Sequence, residues 1–161
     1  MRPLLFVDVD GVISLFGFDS DVPAAVEWAY VDGVPHCLSL AAGRELVRLA
    51  GAFELVWATG WEERANDYLP RLLGLPWPEL PVVRFDGTPK PGGAHWKLPA
   101  IERFAGSRPL AWIDDNLDES CHQWARRRGA PTLLVETEPS RGLTRDHAAR
   151  LLSWARSLAS S

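Results

Sequence analysis

Two aspartates follow a short apolar run near the start of the chain. Asp8 and Asp10 stand after the apolar residues 4–7 and before Gly11. Such a run is typical of a strand buried on both faces, where an unpaired carboxylate is very costly. The cost falls if the strand ends at the aspartates and a divalent cation binds there, because ligands bind at the carboxyl ends of strands in open α/β sheets. The spacing therefore predicts a metal-dependent site at the end of a first parallel strand.

Polar residues also follow two later apolar segments. Thr59 and Gly60 come after residues 53–58, and Asp114 and Asp115 come after residues 110–113. Because the carboxyl ends of parallel strands lie along one edge of a sheet, we expect these residues to converge with the first aspartate pair. Lys97, at the predicted start of a helix, can supply a positive charge to the same place.

This set of residue types suits phosphoryl transfer. Crowded carboxylates repel one another and raise each other's pKa values, and Mg²⁺ relieves that repulsion while keeping waters or substrate oxygens in its shell. A carboxylate can attack phosphorus as a covalent nucleophile, and Mg²⁺, a lysine and a hydroxyl can stabilise the phosphoryl oxygens. A second carboxylate two residues further on can protonate the leaving oxygen and then activate water.

The order of these motifs resembles that of the haloacid dehalogenase (HAD) superfamily. The four motifs of the superfamily are matched in order by residues 8–12, Thr59, Lys97 and the acidic pair Asp114 and Asp115. The resemblance extends over nearly the whole chain. It implies an α/β fold, a Rossmann-like three-layer sandwich with a mainly parallel central sheet.

The resemblance also implies a role for each matched residue. Asp8 would be the nucleophile and a Mg²⁺ ligand, and Asp10 would be the general acid and base and would bind Mg²⁺ through its backbone carbonyl. Thr59 would hold the transferring phosphoryl group, and Lys97 would stabilise Asp8 and the phosphoryl oxygens. The acidic pair 114–115 would complete the metal site, either with both members binding directly or with one acting through water. Because dehalogenases of the superfamily lack an acid at the position of Asp10 and use no Mg²⁺, the resemblance implies a phosphatase.

Lys90 is the alternative to Lys97 as the lysine of the third motif. Lys90 lies among prolines and glycines at residues 86–93, a loop composition. Lys97 is favoured because a helix start holds a side chain at a fixed place.

Several neighbours of the motifs are candidates for substrate binding. Gly60 and Trp61 follow Thr59, whereas His95 and Trp96 precede Lys97. Aromatic rings at such positions can stack on a base or a sugar. The alternative for the tryptophans is core or rim packing, and for His95 it is a structural role.

The rest of the pattern alternates strands and helices, which predicts a mainly parallel sheet. Five core strands are predicted at residues 3–9, 53–58, 82–85, 110–113 and 132–135. Five helices are predicted at residues 40–50, 62–73, 97–104, 119–128 and 145–158, with Ser39 and Thr144 as N-caps and Gly129 ending the fourth. Asp32 and Gly33, between the β-prone segments 25–31 and 34–38, are a strong hairpin signal.

The intervals between the motifs are short. Residues 10–39 hold a loop and one hairpin, and residues 59–97 hold one helix and a proline-rich loop. Neither interval has room for the large cap domain that many HAD relatives carry, so the resemblance implies a capless or minimally capped member with residues 12–39 as a β-hairpin flap. An open site of this kind suits a bulky or macromolecular phosphoester. Alternatively, a partner subunit closes it.

Length and composition favour a single domain over residues 1–161. Two cysteines, Cys37 and Cys121, are too few for a disulfide scaffold. The first apolar run is too short for a signal peptide, and no segment approaches the ~18–20 apolar residues that cross a membrane. We therefore expect a cytoplasmic protein that makes no membrane contact.

The leading functional prediction is a Mg²⁺-dependent phosphatase that acts on a phosphorylated small molecule or an exposed macromolecular phosphoester. One alternative is a non-catalytic module that binds a metal or a phosphorylated ligand. Another is a phosphatase that processes nucleic-acid ends, which the tryptophans allow but the net charge of −4 does not support.

Overall fold

The computed structural model describes residues 1–19 and 21–161, and these form seven strands and five α-helices. The strands are β1 (Leu4–Val7), β2 (Ser14–Leu15), β3 (Val26–Val31), β4 (Val34–Ser39), β5 (Glu54–Trp57), β6 (Leu110–Asp114) and β7 (Thr132–Glu136). The helices are α1 (Leu40–Leu49), α2 (Arg64–Leu72), α3 (Leu98–Ala105), α4 (Glu119–Arg127) and α5 (Arg145–Ala159).

Four strands form a parallel sheet in the order β5-β1-β6-β7. The first strand lies inside the sheet, with Phe6 opposite Val56 on one side and Trp112 on the other. All four of its residues are fully buried, as the unbroken apolar run predicts. The chain is thus an α/β protein, and the polar residues after β1, β5 and β6 leave the sheet at the same edge.

Helices cover both faces of the parallel sheet. Leu5 and Val7 point into a core that also receives side chains from α1, α2 and α5. Leu4 and Phe6 point into a second core built with α3 and α4. Trp57 on β5 and Trp112 on β6 are the largest side chains enclosed in these cores, and both are fully buried.

A separate antiparallel sheet in the order β2-β4-β3 lies between β1 and α1 in the chain. The hairpin prediction is confirmed: Asp32 and Gly33 join β3 to β4, and both have positive φ (52° and 79°). The two-residue strand β2 was not predicted. It pairs with Leu38 and Cys37 of β4, so the insertion forms a small sheet rather than a lone hairpin.

The predicted strand at residues 82–85 is wrong. Only Val82 makes a bridge to the parallel sheet, opposite Trp57. The chain then leaves the sheet, because the amide of Phe85 donates to Glu62 at 3.4 Å and its ring packs on Trp96. The parallel sheet among the described residues therefore has four strands instead of five.

The predicted helices are present, with small shifts at their ends. The second begins at Arg64 rather than at residue 62, because Glu62 has φ +49° and the residues after Thr59 form a turn. The third is preceded by a 3₁₀ turn, Ala94–Lys97, and the fourth ends before Gly129, with Arg128 extended. The predicted N-caps are confirmed, since Ser39 accepts from the Ala42 amide at 3.0 Å and Thr144 caps α5.

Within the described residues, every helix falls short of the length and apolar character needed to span a membrane.

Candidate active site

Asp8 emerges from the parallel sheet directly after β1. Its amide donates to the carbonyl of Ile113 on β6 at 3.0 Å, which extends the ladder by one residue and fixes the start of the side chain. The residue is only 6% exposed. The strand therefore presents a nearly buried carboxylate at its carboxyl end, as the opening motif predicts.

Lys97 is held between two of the carboxylates. Its Nζ lies 3.0 Å from Asp8 Oδ1 and 2.7 Å from Asp114 Oδ2, and it donates to the carbonyl of Ala58 at 2.9 Å. These three acceptors match the three hydrogens of an ammonium group. Lys90 is exposed at the mouth of the cleft described below. The geometry thus favours Lys97 over Lys90 as the lysine paired with Asp8.

Asp114 and Asp115 complete a group of three carboxylates with Asp8. One oxygen from each residue lies within 4.8 Å of the others. Asp114 is almost fully buried, and its Oδ1 accepts from the Asn116 amide at 3.0 Å. An all-oxygen donor set in this arrangement is of the kind that Mg²⁺ prefers. The Asn116 amide was not predicted as part of the site.

Burial makes the charge of this group costly. Burial, opposed in part by the Lys97 ammonium and reinforced by Asp114, raises the pKa of Asp8 to about 8. Burial and the Asp114 carboxylate likewise raise the pKa of Asp115 to about 6. Burial by itself would lower the pKa of Lys97, but Asp8 and Asp114 together raise it above its ordinary value. Three carboxylates against one ammonium leave a negative excess that a divalent cation would balance, so the residues fit Mg²⁺.

Gly11 allows the first motif to lie against Asp115. It has φ +78°, and a β-carbon built there would overlap the Asp115 carboxylate. A side chain at this position would therefore displace one of the three acids as well as strain the backbone. The close approach of the Asp115 carboxylate thus explains why a glycine follows Asp10.

Asp10 differs from the other acids in being exposed to solvent. Its Oδ2 accepts a hydrogen bond from the indole Nε1 of Trp61 at 3.0 Å. Trp61 was predicted as a substrate-binding residue, and in the structure its indole N–H is already hydrogen-bonded to Asp10.

Thr59 and Gly60 lie side by side but differ in access. Thr59 is fully buried, and its hydroxyl accepts from the Trp61 amide at 3.2 Å, so it caps the turn before α2. Gly60 lines the cleft, where Pro89 and Trp96 pack close to it. The phosphoryl-binding role expected of Thr59 stays a prediction.

His95 is turned toward Asp118. Its Nδ1 lies 2.7 Å from Asp118 Oδ2, and its amide donates to the same oxygen at 3.3 Å. The described residues that line the cleft do not include His95. The contacts support the structural alternative for this histidine, and its predicted contact with substrate is not supported by the geometry.

Asp118 is a supporting residue whose contacts sequence reasoning missed. Besides His95, it caps α4 by accepting from the Cys121 amide at 3.1 Å. Burial would raise its pKa, but hydrogen bonds from His95 and the Cys121 amide hold the pKa below its ordinary value. Asp118 thus ties the turn that carries Lys97 to the start of α4. An aspartate directly before a helix is a signal that could have indicated the cap, but nothing in the sequence indicates the contact with His95.

An open cleft of about 190 Å³ lies at the carboxyl edge of the sheet. Its lining comprises Asp8, Asp10, Gly60, Pro89, Lys90, Gly93, Ala94, Trp96, Lys97, Asp114, Asp115 and Asn116. The acids and Lys97 form one part, and Pro89 and Trp96 contribute apolar surface. The cleft therefore brings the buried carboxylates, the Lys97 ammonium and the exposed Asp10 carboxylate into one small volume.

No family model and no curated protein matches this chain. A solved structure of a hypothetical protein from Xanthomonas campestris is similar to it, with a TM-score of 0.52 and 15% sequence identity. The similarity covers 99% of this chain and 86% of the other. At this identity the likeness concerns the fold alone.

Proposed function

We propose that this protein is a Mg²⁺-dependent phosphoester hydrolase, a phosphatase in which Asp8 forms an aspartyl-phosphate intermediate. The observation that carries the proposal is the Asp8, Asp114 and Asp115 group bridged by Lys97 at the carboxyl edge of a parallel sheet. Buried acids with raised pKa values and a specific charge partner, lying in a cleft, are a known mark of functional sites.

The fold supports the same assignment. Helices on both faces of a parallel sheet, with β1 inside it, are the arrangement expected of a Rossmann-like three-layer sandwich. The small antiparallel sheet after β1 takes the place expected of the flap in a minimally capped member of the HAD superfamily. We propose membership of that superfamily on these two features together with the four motifs.

In the first step, an Asp8 carboxylate oxygen attacks the phosphorus of the substrate. The P–O bond to the leaving group breaks, and Asp10 donates its proton to the leaving oxygen. Lys97 already contacts Asp8 and can extend its charge to the phosphoryl oxygens.

In the second step, Asp10 takes a proton from water as the water oxygen attacks the phosphorus. The bond between Asp8 and phosphorus breaks, inorganic phosphate forms, and Asp8 regains its carboxylate. The exposed position of Asp10 suits this step, because the residue must reach both the leaving group and solvent water.

Asp8, Asp114 and Asp115 are the side chains that would hold Mg²⁺. When bound, the ion supplies positive charge to the phosphoryl oxygens and neutralises the excess carboxylate charge.

The decisive experiment compares wild type with Asp8→Asn for phosphate release from a panel of alkyl, aryl and nucleotide monoesters and phosphorylated oligonucleotides, with Mg²⁺ and with a chelator. We expect Mg²⁺-dependent turnover that Asp8→Asn abolishes, and an acid-quenched wild-type enzyme whose mass has increased by one phosphoryl group. Asp86→Asn is the matched control, because that aspartate is exposed and pairs only with the surface residue Arg103. Undiminished turnover by a folded Asp8→Asn enzyme would refute the proposal.

A further inference from the structure

Trp61 links the exposed acid of the site to the antiparallel sheet. Its indole donates to Asp10 Oδ2 at 3.0 Å, and its ring packs edge-on against the imidazole of His36 on β4, with centroids 4.8 Å apart. We propose that Trp61 is a positioning residue that clamps the Asp10 carboxylate, and that His36 holds Trp61 in place from the insertion. The inference rests on the proposed function, in which Asp10 is the acid and base.

Asp10 is the acid of the site that needs such a clamp. Asp8 and Asp114 are nearly buried and are bonded to Lys97, so their orientations are fixed by the core. Asp10 is exposed, and an exposed carboxylate is free to move among side-chain rotamers. A hydrogen bond from a rigid donor restricts that freedom. The clamp therefore acts on the one reacting carboxylate that the core does not hold.

Trp61 is itself held at two points. Its amide donates to the buried Thr59 hydroxyl at 3.2 Å, which fixes the backbone, and its ring lies against His36. An indole has only two side-chain torsions, so a fixed backbone and one packed face leave it little freedom. The indole N–H can therefore be aimed at a constant place.

His36 is held in turn by Ser14. The Ser14 hydroxyl lies 2.7 Å from His36 Nδ1, and Ser14 is 4% exposed. The Ser14 carbonyl accepts the Gly11 amide at 2.8 Å, next to Asp10. The contacts thus run from Asp10 through Trp61 and His36 to Ser14, and from Ser14 back to the backbone next to Asp10, so they form a closed circuit. Through this circuit the antiparallel sheet supports the Asp10 carboxylate.

The clamp has a distinct kinetic consequence. Release of a good leaving group needs little help from an acid, whereas hydrolysis of the aspartyl-phosphate needs a base oriented toward water. Loosening Asp10 should therefore slow the second step more than the first when the substrate is an aryl phosphate. A general loss of packing would slow both steps alike.

The test measures nitrophenolate release from para-nitrophenyl phosphate by rapid mixing, for wild type and for Trp61→Phe. Phenylalanine keeps an aromatic face for His36 and removes only the indole donor. We expect a burst of about one product per enzyme that stays fast, and a steady-state rate reduced about tenfold, a part of the roughly 10²–10⁴-fold that acid–base catalysis contributes. Trp124→Phe is the matched control, because that indole also donates to a carboxylate, Glu102, at 2.8 Å, but outside the cleft.

A second measurement tests the clamp without turnover. In nitrogen–proton NMR spectra Trp61→Phe identifies the Trp61 indole signal among those of the eight tryptophans. That signal should shift in Asp10→Ala and in His36→Ala, and the Trp124 signal should not.

The outcomes separate the two proposals. An unmoved Trp61 signal in Asp10→Ala, or equal slowing of burst and steady state in Trp61→Phe, overturns the clamp. If the Trp61 signal shifts in Asp10→Ala but the wild-type protein shows no Mg²⁺-dependent turnover, the proposed function is overturned and the contact between Trp61 and Asp10 is established.

Discussion

Lys97 donates to three different acceptors, and two of them are buried carboxylates. The same ammonium therefore pairs with both Asp8 and Asp114 in the fold and would also interact with the phosphoryl group in the proposed reaction. A residue with both duties is costly to replace, because its loss leaves two like charges close together and out of water.

We predict that Lys97→Met destabilises the protein by about 3–5 kcal/mol, the usual cost of breaking a buried ion pair by removing one partner. It should also abolish the proposed phosphatase activity. Denaturant unfolding measures the first effect, and part of the lost stability should return with Mg²⁺, which supplies positive charge to the same acids. Lys90→Met serves as control, since Lys90 is exposed and should change the free energy of unfolding by less than about 0.5 kcal/mol. A Lys97→Met protein as stable as wild type would contradict this account of the buried group.

At the scale of elements, α5 depends on a capping box at its start. The Thr144 hydroxyl accepts from the His147 amide, and the Thr144 amide donates to His147 Nδ1 at 3.0 Å. The helix packs Ala148 and Leu151 into the core beneath the parallel sheet, so its first turn fixes how one face of the sheet is covered. The imidazole must keep Nδ1 free of a proton to accept this bond.

We predict that His147→Ala lowers the free energy of unfolding by about 1 kcal/mol, a typical value for a lost cap. In His147→Gln most of this capping contribution should remain, because glutamine can also accept from the N-cap amide. Burial lowers the pKa of His147 below its ordinary value of 6.5. The unfolded chain therefore binds this proton more readily, and the contribution is fully present above pH 6.5 and is lost as the pH falls through the lowered value. The free energy of unfolding of wild type minus that of His147→Gln should therefore be smaller at about pH 5 than at about pH 7.5. The same difference at both pH values would mean that the histidine does not act through its proton.

At the scale of the whole molecule, the acids couple stability to both pH and Mg²⁺. The folded pKa values of Asp8 (about 8) and Asp115 (about 6) lie above the ordinary value of 3.8. Their contribution to stability is therefore complete below pH 3.8 and is lost as the pH rises through about 6 and then about 8. In the proposed site Mg²⁺ would bind the deprotonated acids, so its stabilising effect should grow over the same range.

We predict that the difference in Tm between samples with Mg²⁺ and with chelator widens from about pH 5.5 to about pH 8.5. At a free Mg²⁺ concentration about a hundredfold above Kd the gain is about 2.7 kcal/mol, or roughly 5–10 °C. In Asp115→Asn the difference in Tm between samples with Mg²⁺ and with chelator should be smaller than in wild type. A difference that is the same at every pH would show that these carboxyls do not exchange protons for the metal.

The sequence predicts the parallel strands and the convergence of their polar ends, because the buried runs at 4–7 and 110–113 carry their acids to one edge. It misses features that depend on packing between distant segments. The link from Trp61 to His36 requires the position of the insertion relative to the turn after β5, and the bond between His95 and Asp118 joins two loops. The false strand at 82–85 shows the same limit, because its β-prone residues are drawn away by side chains on neighbouring loops.

The position of β1 inside the parallel sheet has a consequence for synthesis on the ribosome. Its neighbour β5 is made soon afterwards, but β6 emerges only after α2 and α3. Until then one edge of an entirely apolar strand keeps unpaired N–H and C=O groups, a state open to wrong pairing with other chains. Asp8 also lacks its partner Lys97, and the Asp114 carboxylate beside it, until those residues have been synthesised. A nascent chain that ends before β6 would therefore lack both the completed parallel sheet and the Asp114 carboxylate of the site.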